Sequence, residues 1–415
     1  MIRSTIVVGD GVVALNVALA LQRRGTQVTI VAPDAPWRGA SWGNAGHIAV
    51  EQVEPLASLA TVKSVPKRLF SRGGALALPA RAIRRWLPFT VRLLRASTPA
   101  RFARGKTALS AMLATAIPAW QRVLAEAGAP ELLRLDGHFI VWETPESAAQ
   151  GRASWLAADT GGATVRDVTA EEFARLRTLT TAPIAGAVRV EGSGQITDTG
   201  ALGATLAARF AAQGGARVYG RARSIAAAAD GATVTLEDGS HWDADVVVVA
   251  AGAASAPLVE SQGLRAPLIA ERGYHIEGEP GDWPADQPPV VFEDRSMIVT
   301  RFAGRLRAAS IVEFAAVETP ADPRKWARAA RACGGAGAAA ARSDRTVDGR
   351  PADVARLSAR DRAQGRDRLC VRPPASGADA VGDHGRGAGG VATGRGAGLR
   401  SFPVRSVAVR VIRAG

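Results

Sequence analysis

Apolar positions near the start of the chain predict a strand, a helix and a second strand in direct succession. Residues 5–8 form a short apolar run, a glycine-containing turn follows, and a helical pattern then continues to about Gln22. Gly25 ends this helix, and residues 27–31 form a second apolar run. This order of elements is a βαβ unit, which places its two strands side by side in a parallel sheet.

A similar pattern returns in the second half of the chain. Residues 199–213 are predicted to form a helix that stops at Gly214 and Gly215, and residues 216–219 a strand. A hairpin around residues 233–239 leads to the apolar run 245–249, which resembles a strand buried on both faces of a parallel sheet. The small residues Ala251 and Gly252 end this run, either as an ordinary turn or as a place where a nucleotide meets the strand.

Between and after these segments the pattern changes. Residues 55–129 are predicted to be mainly helical, residues 133–143 to form a strand pair that turns at Gly137, and residues 145–177 to form loops and a short helix. Alternating, extended segments then follow from residue 271 to residue 314. They favour an antiparallel sheet, which would give a rigid wall to a substrate pocket.

The turn after the first strand carries the sequence of a dinucleotide-binding fingerprint. Gly9 is expected to make the tight turn and Gly11 to let the backbone approach a pyrophosphate, which would lie on the helix N-terminus at Val12 and Val13. Ala14 stands at the third glycine position, where only close packing of helix and strand is required. A plain strand–turn–helix without a ligand is the alternative.

The acidic residue expected at the end of the second strand is displaced. Such a residue normally holds the ribose hydroxyls of the dinucleotide. The corresponding position is Ala32, and Asp34 is the nearest carboxylate that could take over this contact.

A loop of small residues, 39–48, is the second stretch with a functional signal. Its glycines allow a backbone to press against a bound ligand. His47 is a candidate polar partner for that ligand, although a loop histidine can equally have a structural role.

Charge is unevenly distributed along the chain. The net charge is +14, but residues 329–415 hold 16 Arg against 7 Asp with no Lys or Glu, a net charge of +9, so that residues 1–328 carry only +5. Both cysteines, Cys333 and Cys370, also lie in this tail. No N-terminal signal or apolar run of transmembrane length is visible, and we therefore expect a soluble, cytoplasmic protein.

One basic stretch of the body stands apart. Residues 81–106 mix several arginines with large apolar residues. A basic amphipathic face of this kind can rest on an anionic membrane, at the inner face of the cell membrane. The alternative is solvated arginine on helices that pack over a domain.

Five of these segments together resemble the D-amino-acid dehydrogenase branch of the FAD-dependent amine and amino-acid oxidoreductases. They are the turn 9–14, the loop 41–47, the strand 245–252, the step 272–274 and the strand 306–314. The resemblance covers about residues 4–328. It implies an α/β fold in which a Rossmann-like FAD-binding domain is interleaved with an α+β substrate domain that carries an antiparallel sheet.

The resemblance also implies domain boundaries and site residues. The FAD-binding domain would comprise residues 1–78 and 191–260, and the substrate domain residues 79–190 and 261–328. FAD would contact Gly9, Gly11, Val12, Val13, Ala14, Asp34, Ser41, Asn44, Ala45, Gly46, Ala251 and Gly252. Arg307, Tyr274 and His47 are the predicted substrate and catalytic contacts. Arg307 is the strongest of the three because a guanidinium can bind a carboxylate through two hydrogen bonds. No metal is expected.

The reaction implied is oxidation of a D-amino acid to a 2-oxo acid and ammonia, with hydride transfer from Cα to flavin N5. A quinone or the respiratory chain would accept the electrons, and nucleic acid is not an expected partner. A glycine, sarcosine or hydroxyproline oxidase is an alternative within the same fold. An inactive flavoprotein fragment is an alternative from a different class.

The tail departs from the family. Similar proteins carry stretches like RPTLPDYLPAIG and YAFGHQHLGLT near the C-terminus, and neither follows Trp326 here. GC-rich codons can be chosen for residues 347–361 and 369–377. Read one base out of frame, these codons encode sequences similar to both family stretches. We therefore predict that residues 329–415 are an out-of-frame, disordered tail, and we reject a nucleic-acid-binding tail because lysines and interleaved aromatic residues are missing.

Overall fold

The computed structural model describes residues 2–33, 39–228, 230–316, 319–335 and 343–347 of the 415-residue chain. The helices are α1 (Val12–Gln22), α2 (Leu59–Arg68), α3 (Ile83–Ala96), α4 (Pro99–Leu113), α5 (Ala116–Glu126), α6 (Pro145–Leu156), α7 (Ala170–Thr178), α8 (Thr199–Ala212), α9 (Ser255–Glu260) and α10 (Pro323–Gly335). Short 3-10 turns lie at Ala40–Gly43, Phe70–Arg72, Ala80–Ala82, Pro130–Leu132, Gly252–Ala254 and Glu293–Arg295.

The strands are β1 (Ser4–Val8), β2 (Gln27–Ala32), β3 (His47–Ile48), β4 (Leu76–Ala77), β5 (Leu133–Arg134), β6 (His138–Trp142), β7 (Thr164–Asp167), β8 (Gly186–Glu191), β9 (Gly194–Ile196), β10 (Ala216–Tyr219), β11 (Ala222–Ala228), β12 (Gly231–Leu236), β13 (His241–Ala244), β14 (Val246–Val249), β15 (Ala270–Gly278), β16 (Val290–Phe292), β17 (Met297–Phe302), β18 (Arg305–Ala315) and β19 (Ser343–Val347).

The predicted βαβ unit lies at the centre of a four-stranded parallel sheet with the order β10-β2-β1-β14. One face of this sheet packs on α1 and α8 through side chains that include Leu15 and Leu206. The other face packs on the three-stranded sheet β11-β12-β13 and on α9. Both faces are therefore buried, which explains why β14 and residues 6–8 of β1 are apolar.

A nine-stranded, largely antiparallel sheet forms the second layer. Its main order is β19-β15-β18-β17-β16-β6-β8-β7, and β4 joins it by pairing with β18. Successive residues of its strands point to opposite faces. Phe139 and Val141 thus face the apolar cluster under α7 and α10, whereas Ile140 and Trp142 face the cluster under α6.

These two sheets confirm the predicted fold class, an α/β layer with a parallel sheet and an α+β layer that carries an antiparallel sheet. Two local predictions need correction. The expected strand pair around Gly137 does not form, because β5 pairs with β9 and β6 pairs with β8 and β16. Residues 76–77, assigned to the FAD-binding segment, pair with β18 of the large sheet.

The predicted start of the tail at Ala329 also needs correction. Helix α10 runs across this position to Gly335, and Ala329 and Cys333 are buried at 1% and 3% exposure beside Trp326. Burial of an i, i+3, i+7 stripe explains why the helix continues. Residues 343–347 pair with β15. The other residues of the predicted tail, Cys370 among them, lie outside the part of the chain that the structure describes.

Membrane-spanning helices were sought among the same described residues. None of the helices there is both long enough and apolar enough to cross a bilayer.

Candidate functional site

Gly9 makes the turn at the carboxyl end of β1. Its φ angle is +115°, and a Cβ atom built on it would lie 2.4 Å from the carbonyl oxygen of Ala250. Its amide donates a hydrogen bond of 2.8 Å to the carbonyl oxygen of Val31. Any side chain at this position would therefore force β1 and β14 apart.

Gly11 has open space where its side chain would be. Among the described residues, no atom lies within 4 Å of a Cβ atom built on Gly11. A Cβ atom built on Gly39 would lie 3.6 Å from the Cα atom of Gly11. Helix α1 starts at Val12 with no side-chain cap and no acidic residue in its first turn. Its free amide groups and open approach fit a phosphate group.

Ala14 is fully buried in the apolar cluster between α1 and the sheet, whereas Val12 and Val13 are partly exposed at the helix start. This is the close helix–strand packing that the third position of the fingerprint requires. The local arrangement of residues 9–14 thus matches the dinucleotide-binding turn.

The end of β14 lies directly beside this turn. The amide of Ala250 donates to the carbonyl oxygen of Val8 at 2.8 Å. A Cβ atom built on Gly9 would lie 3.0 Å from the Cα atom of Ala251. Gly252 follows with a φ angle of +56°. The structure therefore brings Ala251 together with Gly9, at the edge where parallel sheets bind ligands.

Asp34, the predicted partner of the ribose, lies outside the described residues. A different acidic residue is present in the turn itself. Asp10 is 2% exposed and forms an ion pair with Arg217 of β10, with 3.4 Å between the carboxylate and the guanidinium. Sequence reasoning missed this pair because β10 is distant in sequence from the turn.

The loop 39–46 is held in a defined shape by its own hydrogen bonds. The side-chain oxygen of Asn44 accepts from the amide of Gly46 at 2.8 Å, and the carbonyl oxygen of Ser41 accepts from the amide of Asn44 at 3.4 Å. Gly46 has a φ angle of +68° and leaves no room for a Cβ, which would lie 2.8 Å from the carbonyl oxygen of Ile196. Ala45 is buried beneath the loop.

Two elements of the protein body anchor this loop. The carbonyl oxygen of Trp42 accepts hydrogen bonds from the hydroxyl of Thr199 at 2.9 Å and from Arg307 at 3.0 Å. Arg307 also donates to the carbonyl oxygen of Asn44. Helix α8 and strand β18 therefore fix the loop next to the dinucleotide-binding turn.

Arg307 is fully buried and already has partners. Its Nε donates to the Glu277 carboxylate at 2.7 Å, and its Nη2 contacts the same carboxylate. Burial lowers the pKa of Arg307, and the charge of Glu277 opposes this effect. The predicted grip of Arg307 on a substrate carboxylate stays a prediction, because the guanidinium is here directed at Glu277 and the loop carbonyl groups.

Tyr274 lies on the opposite face of the large sheet. Its hydroxyl donates to Glu313 and accepts from the amide of Asp322 at 3.1 Å, and its ring packs edge-on against Trp326. Burial raises the pKa of Tyr274. Because side chains alternate along β15, Tyr274 faces α10 while Glu277 faces Arg307. The predicted contact of Tyr274 with substrate has no support in this arrangement.

His47 belongs to a buried polar cluster. Its Nε2 lies 3.2 Å from the Glu51 carboxylate, and its ring stands edge-on to His138 with 4.5 Å between centroids. His138 in turn bonds to Ser193 at 3.0 Å, and burial, together with His47, lowers the pKa of His138 to about 3. Burial raises the pKa of Glu51, but the contact with His47 outweighs it and the net direction is down.

The same cluster has the composition of a metal site. One ligand atom from each of His47, Glu51 and His138 lies within 4.8 Å of the others. Two histidines and a carboxylate can bind zinc. The sequence predicted no metal. His47 bonds to Glu51 and His138 bonds to Ser193, but among the described residues Nδ1 of His47, Oε2 of Glu51 and Nε2 of His138 are buried without a hydrogen-bond partner.

Solved structures share this fold. Glycine oxidase from Geobacillus kaustophilus superimposes with a TM-score of 0.58 over 81% of this chain and 78% of that protein, at 18% sequence identity. At this identity the similarity establishes the fold alone.

Two relatives are more similar in sequence. The D-amino-acid oxidase of Bradyrhizobium diazoefficiens is 30% identical over 331 residues, which cover 79% of this chain and 77% of that protein. The D-amino acid dehydrogenase 2 of Pseudomonas aeruginosa is 29% identical over 337 residues, with 79% of each chain covered.

The family described as FAD dependent oxidoreductase matches residues 4–379. The matched range includes the glycine turn, the anchored loop and both main sheets. The cofactor that this family uses agrees with the open approach at Gly11 and the uncapped start of α1. The chain therefore belongs to the FAD dependent oxidoreductase family.

Proposed function

We propose that this FAD-dependent oxidoreductase oxidises D-amino acids to 2-oxo acids and ammonia. The observation that carries the proposal is the anchored loop 39–46, which Arg307 and Thr199 hold beside the dinucleotide-binding turn. The two relatives described above, a D-amino-acid oxidase and a D-amino acid dehydrogenase, support the choice of substrate class.

Residues of the turn and the loop would hold FAD. The amide groups at Val12 and Val13, at the uncapped start of α1, would bind the pyrophosphate. Ser41, Asn44, Ala45 and Gly46 would line the flavin side, and Ala251 and Gly252 the adenosine side. When bound, FAD accepts the hydride that the amino acid loses from Cα.

Arg307 is proposed to act on the substrate through the loop. Its guanidinium joins the Glu277 carboxylate to the carbonyl oxygens of Trp42 and Asn44, so it fixes the loop backbone that is proposed to line the flavin. Direct binding of the substrate carboxylate is the competing role. The two roles differ in their expected effect on flavin content, which separates them experimentally.

We further propose that the electrons pass to a quinone or the respiratory chain, and that the protein works in the cytoplasm at the inner face of the membrane. The support is the similarity to a D-amino acid dehydrogenase together with the basic stretch 81–106. A glycine, sarcosine or hydroxyproline oxidase that uses oxygen is the second candidate. A panel of these substrates, assayed with a redox dye and with oxygen, distinguishes the two.

An out-of-frame tail is proposed for the segment after α10. Each of the two relatives matches 79% of this chain, and the unmatched share is about as long as residues 329–415. The family match, in contrast, extends to residue 379. With an out-of-frame tail the chain would lack segments that complete the flavin pocket, and it would be an inactive flavoprotein fragment. DNA sequence across codons 325–350 tests this directly, because an intact frame there would contradict the proposal.

The experiment that tests the proposed reaction is a comparison of D- and L-amino acids as reductants. Flavin-loaded protein, from a gene with its frame verified or restored, is mixed anaerobically with each amino acid. Loss of the oxidised flavin absorption with D-amino acids alone is the expected result. Reduction by glycine or sarcosine but not by D-amino acids would favour the second candidate.

A further inference from the structure

The outer face of α3 carries a continuous apolar stripe. Ile83, Leu87, Val91 and Leu94 are 45%, 45%, 37% and 47% exposed. Their spacing of four, four and three residues places them on one side of the helix. Side chains of this size normally face a partner, so this stripe is a candidate contact surface.

The opposite face of α3 holds the helix firmly to the body. The indole of Trp86 donates to the carbonyl oxygen of Pro79 at 2.9 Å, and the ring of Phe89 stacks on Phe314 with 5.6 Å between centroids. Trp86 and Phe89 also pack against the main apolar cluster of the large sheet. One face of α3 therefore makes the contacts with the core. The exposure of the apolar stripe on the outer face has to be explained by something other than core packing.

Positive charge lies along one side of the stripe. Residues 55–125 contain 13 Lys and Arg and no Asp or Glu. Four exposed arginines lie on α3. Arg84 and Arg95 border the stripe, and Arg85 and Arg92 lie further round the helix. Within the described residues, none of these four is paired with a carboxylate, whereas Lys106 of α4 pairs with Asp159 at 2.7 Å. The surface thus combines apolar side chains with uncompensated positive charge.

We propose that the outer face of α3 docks on an anionic lipid bilayer. The apolar stripe would enter the boundary between headgroups and acyl chains, and the arginines would bind lipid phosphates. Docking would bring the flavin protein to a membrane-borne electron acceptor, and this role of the contact rests on the proposed function.

Two other occupants fit the charge less well. The chain's own C-terminal segment carries 16 Arg against 7 Asp, so it has the same sign as α3. A second copy of the chain in a twofold contact would place the arginines of one α3 against those of the other. Both contacts would be repulsive, whereas an anionic bilayer is complementary.

The test uses the full chain and vesicles of stated composition. The protein is sedimented with vesicles of equal phosphatidylglycerol and phosphatidylcholine, and with vesicles of phosphatidylcholine alone. We expect binding to the anionic vesicles that weakens at least tenfold between about 0.05 M and about 0.5 M salt, because screening acts on the arginines. Oxidative footprinting of the unmodified protein should show Leu87 and Leu94 protected by anionic vesicles.

Two variants separate this surface from the rest of the chain. Leu87→Gln with Leu94→Gln should weaken vesicle binding at least tenfold, and its control is Leu135→Gln with Leu264→Gln, which changes residues of equal exposure, 45% and 47%. Arg84→Gln with Arg95→Gln should weaken vesicle binding by roughly fivefold for each charge removed. The matched control changes two exposed arginines elsewhere, Arg177 and Arg265.

Each remaining outcome overturns the proposal. Equal binding by the α3 variants and the controls would assign the affinity to another basic region, such as the C-terminal segment. Equal binding to neutral vesicles would remove the role of the arginines. No vesicle binding, with self-association that the α3 variants abolish, would make the stripe an interface between copies. None of these measurements requires turnover. The vesicle result can therefore be interpreted even if D-amino acids do not reduce the flavin.

Discussion

Arg307 and Glu277 form a buried ion pair across neighbouring strands, with 2.7 Å between Nε and the carboxylate. Arg307 is completely buried, and the remaining donors of its guanidinium reach the loop beside the glycine turn. The pair therefore connects the rigid large sheet to the loop that is proposed to line the flavin. This connection gives a testable consequence for both stability and cofactor binding.

Arg307→Leu should lower the free energy of unfolding by about 3 kcal/mol, because Glu277 loses its main partner in the interior. The value lies at the low end for a broken buried pair, since Arg305 stays within 3.4 Å of the same carboxylate. Denaturant unfolding measures this loss. Adding Glu277→Leu to the variant should restore part of it, and an unchanged stability in the single variant would contradict the anchoring role.

Flavin content and KM of Arg307→Leu then distinguish its two proposed roles. Anchoring of the loop predicts a clear loss of bound flavin, measured in protein with a verified frame. Direct binding of substrate predicts full flavin content and a KM raised by the loss of a charged hydrogen bond, on the order of 1.5–3 kcal/mol. Arg307→Lys is the control, because it keeps the charge but cannot bridge two carbonyl groups in the same way.

Gly11→Asp should abolish FAD binding while leaving the fold stable. The space in front of Gly11 is open, so the new side chain fits the protein alone but would occupy the place of the pyrophosphate and repel it. Flavin absorbance and thermal unfolding are measured together, in protein from the frame-restored gene. Gly9→Ala is the contrasting variant, which should destabilise the fold because its Cβ would collide with Ala250. Flavin retained at wild-type occupancy in Gly11→Asp would disprove the N-terminal assignment.

His138 should make the protein less stable in acid. Its folded pKa of about 3 lies below the ordinary value of 6.5 because the ring is buried beside His47. Between pH 6.5 and pH 3 the unfolded chain therefore binds a proton at His138 and the folded chain does not. The contribution of His138 to the free energy of unfolding is full above pH 6.5 and falls as the pH drops toward 3. At pH 5 the loss should be on the order of 2 kcal/mol. His138→Gln should flatten this dependence, while His241→Gln on the exposed hairpin should not.

Cys333 should resist alkylation in the folded protein. It is 3% exposed in α10, and burial raises its pKa to about 11, so the thiolate is scarce near neutral pH. Mass spectrometry after treatment with iodoacetamide measures this, with denatured protein as the control. Rapid modification in the native state would place the boundary of the folded body before Cys333, as the sequence alone suggested.

Local signals in the sequence were enough for the nucleotide-binding layer. The turn at Gly9 and Gly11, the helix that follows and the apolar β14 each depend on nearby residues, and all lie where the pattern indicated. The end of the body was missed because α10 is rich in alanine and arginine. Its buried stripe of Trp326, Ala329 and Cys333 has helical spacing and could have been recognised.

Contacts between distant segments could not be predicted in the same way. His47 meets His138 only because β3 and β6 flank the same cluster, and nothing near either residue indicates this. The pairing of Glu277 with Arg307 depends on the register of β15 and β18, which shifts at an irregularity between Gly273 and His275. That register also decides that Tyr274 faces away from Arg307. Register is set by packing across the sheet, which one sequence does not reveal.

Anaerobic reduction of the bound flavin by amino acids tests the central claim most directly. Protein from the frame-restored gene should be yellow and lose its oxidised flavin absorption with D-amino acids but not with their L-isomers. The chain as written should retain little flavin and show little reduction. A frame-restored protein that binds no flavin, or whose flavin is unaffected by every D-amino acid, would contradict the account.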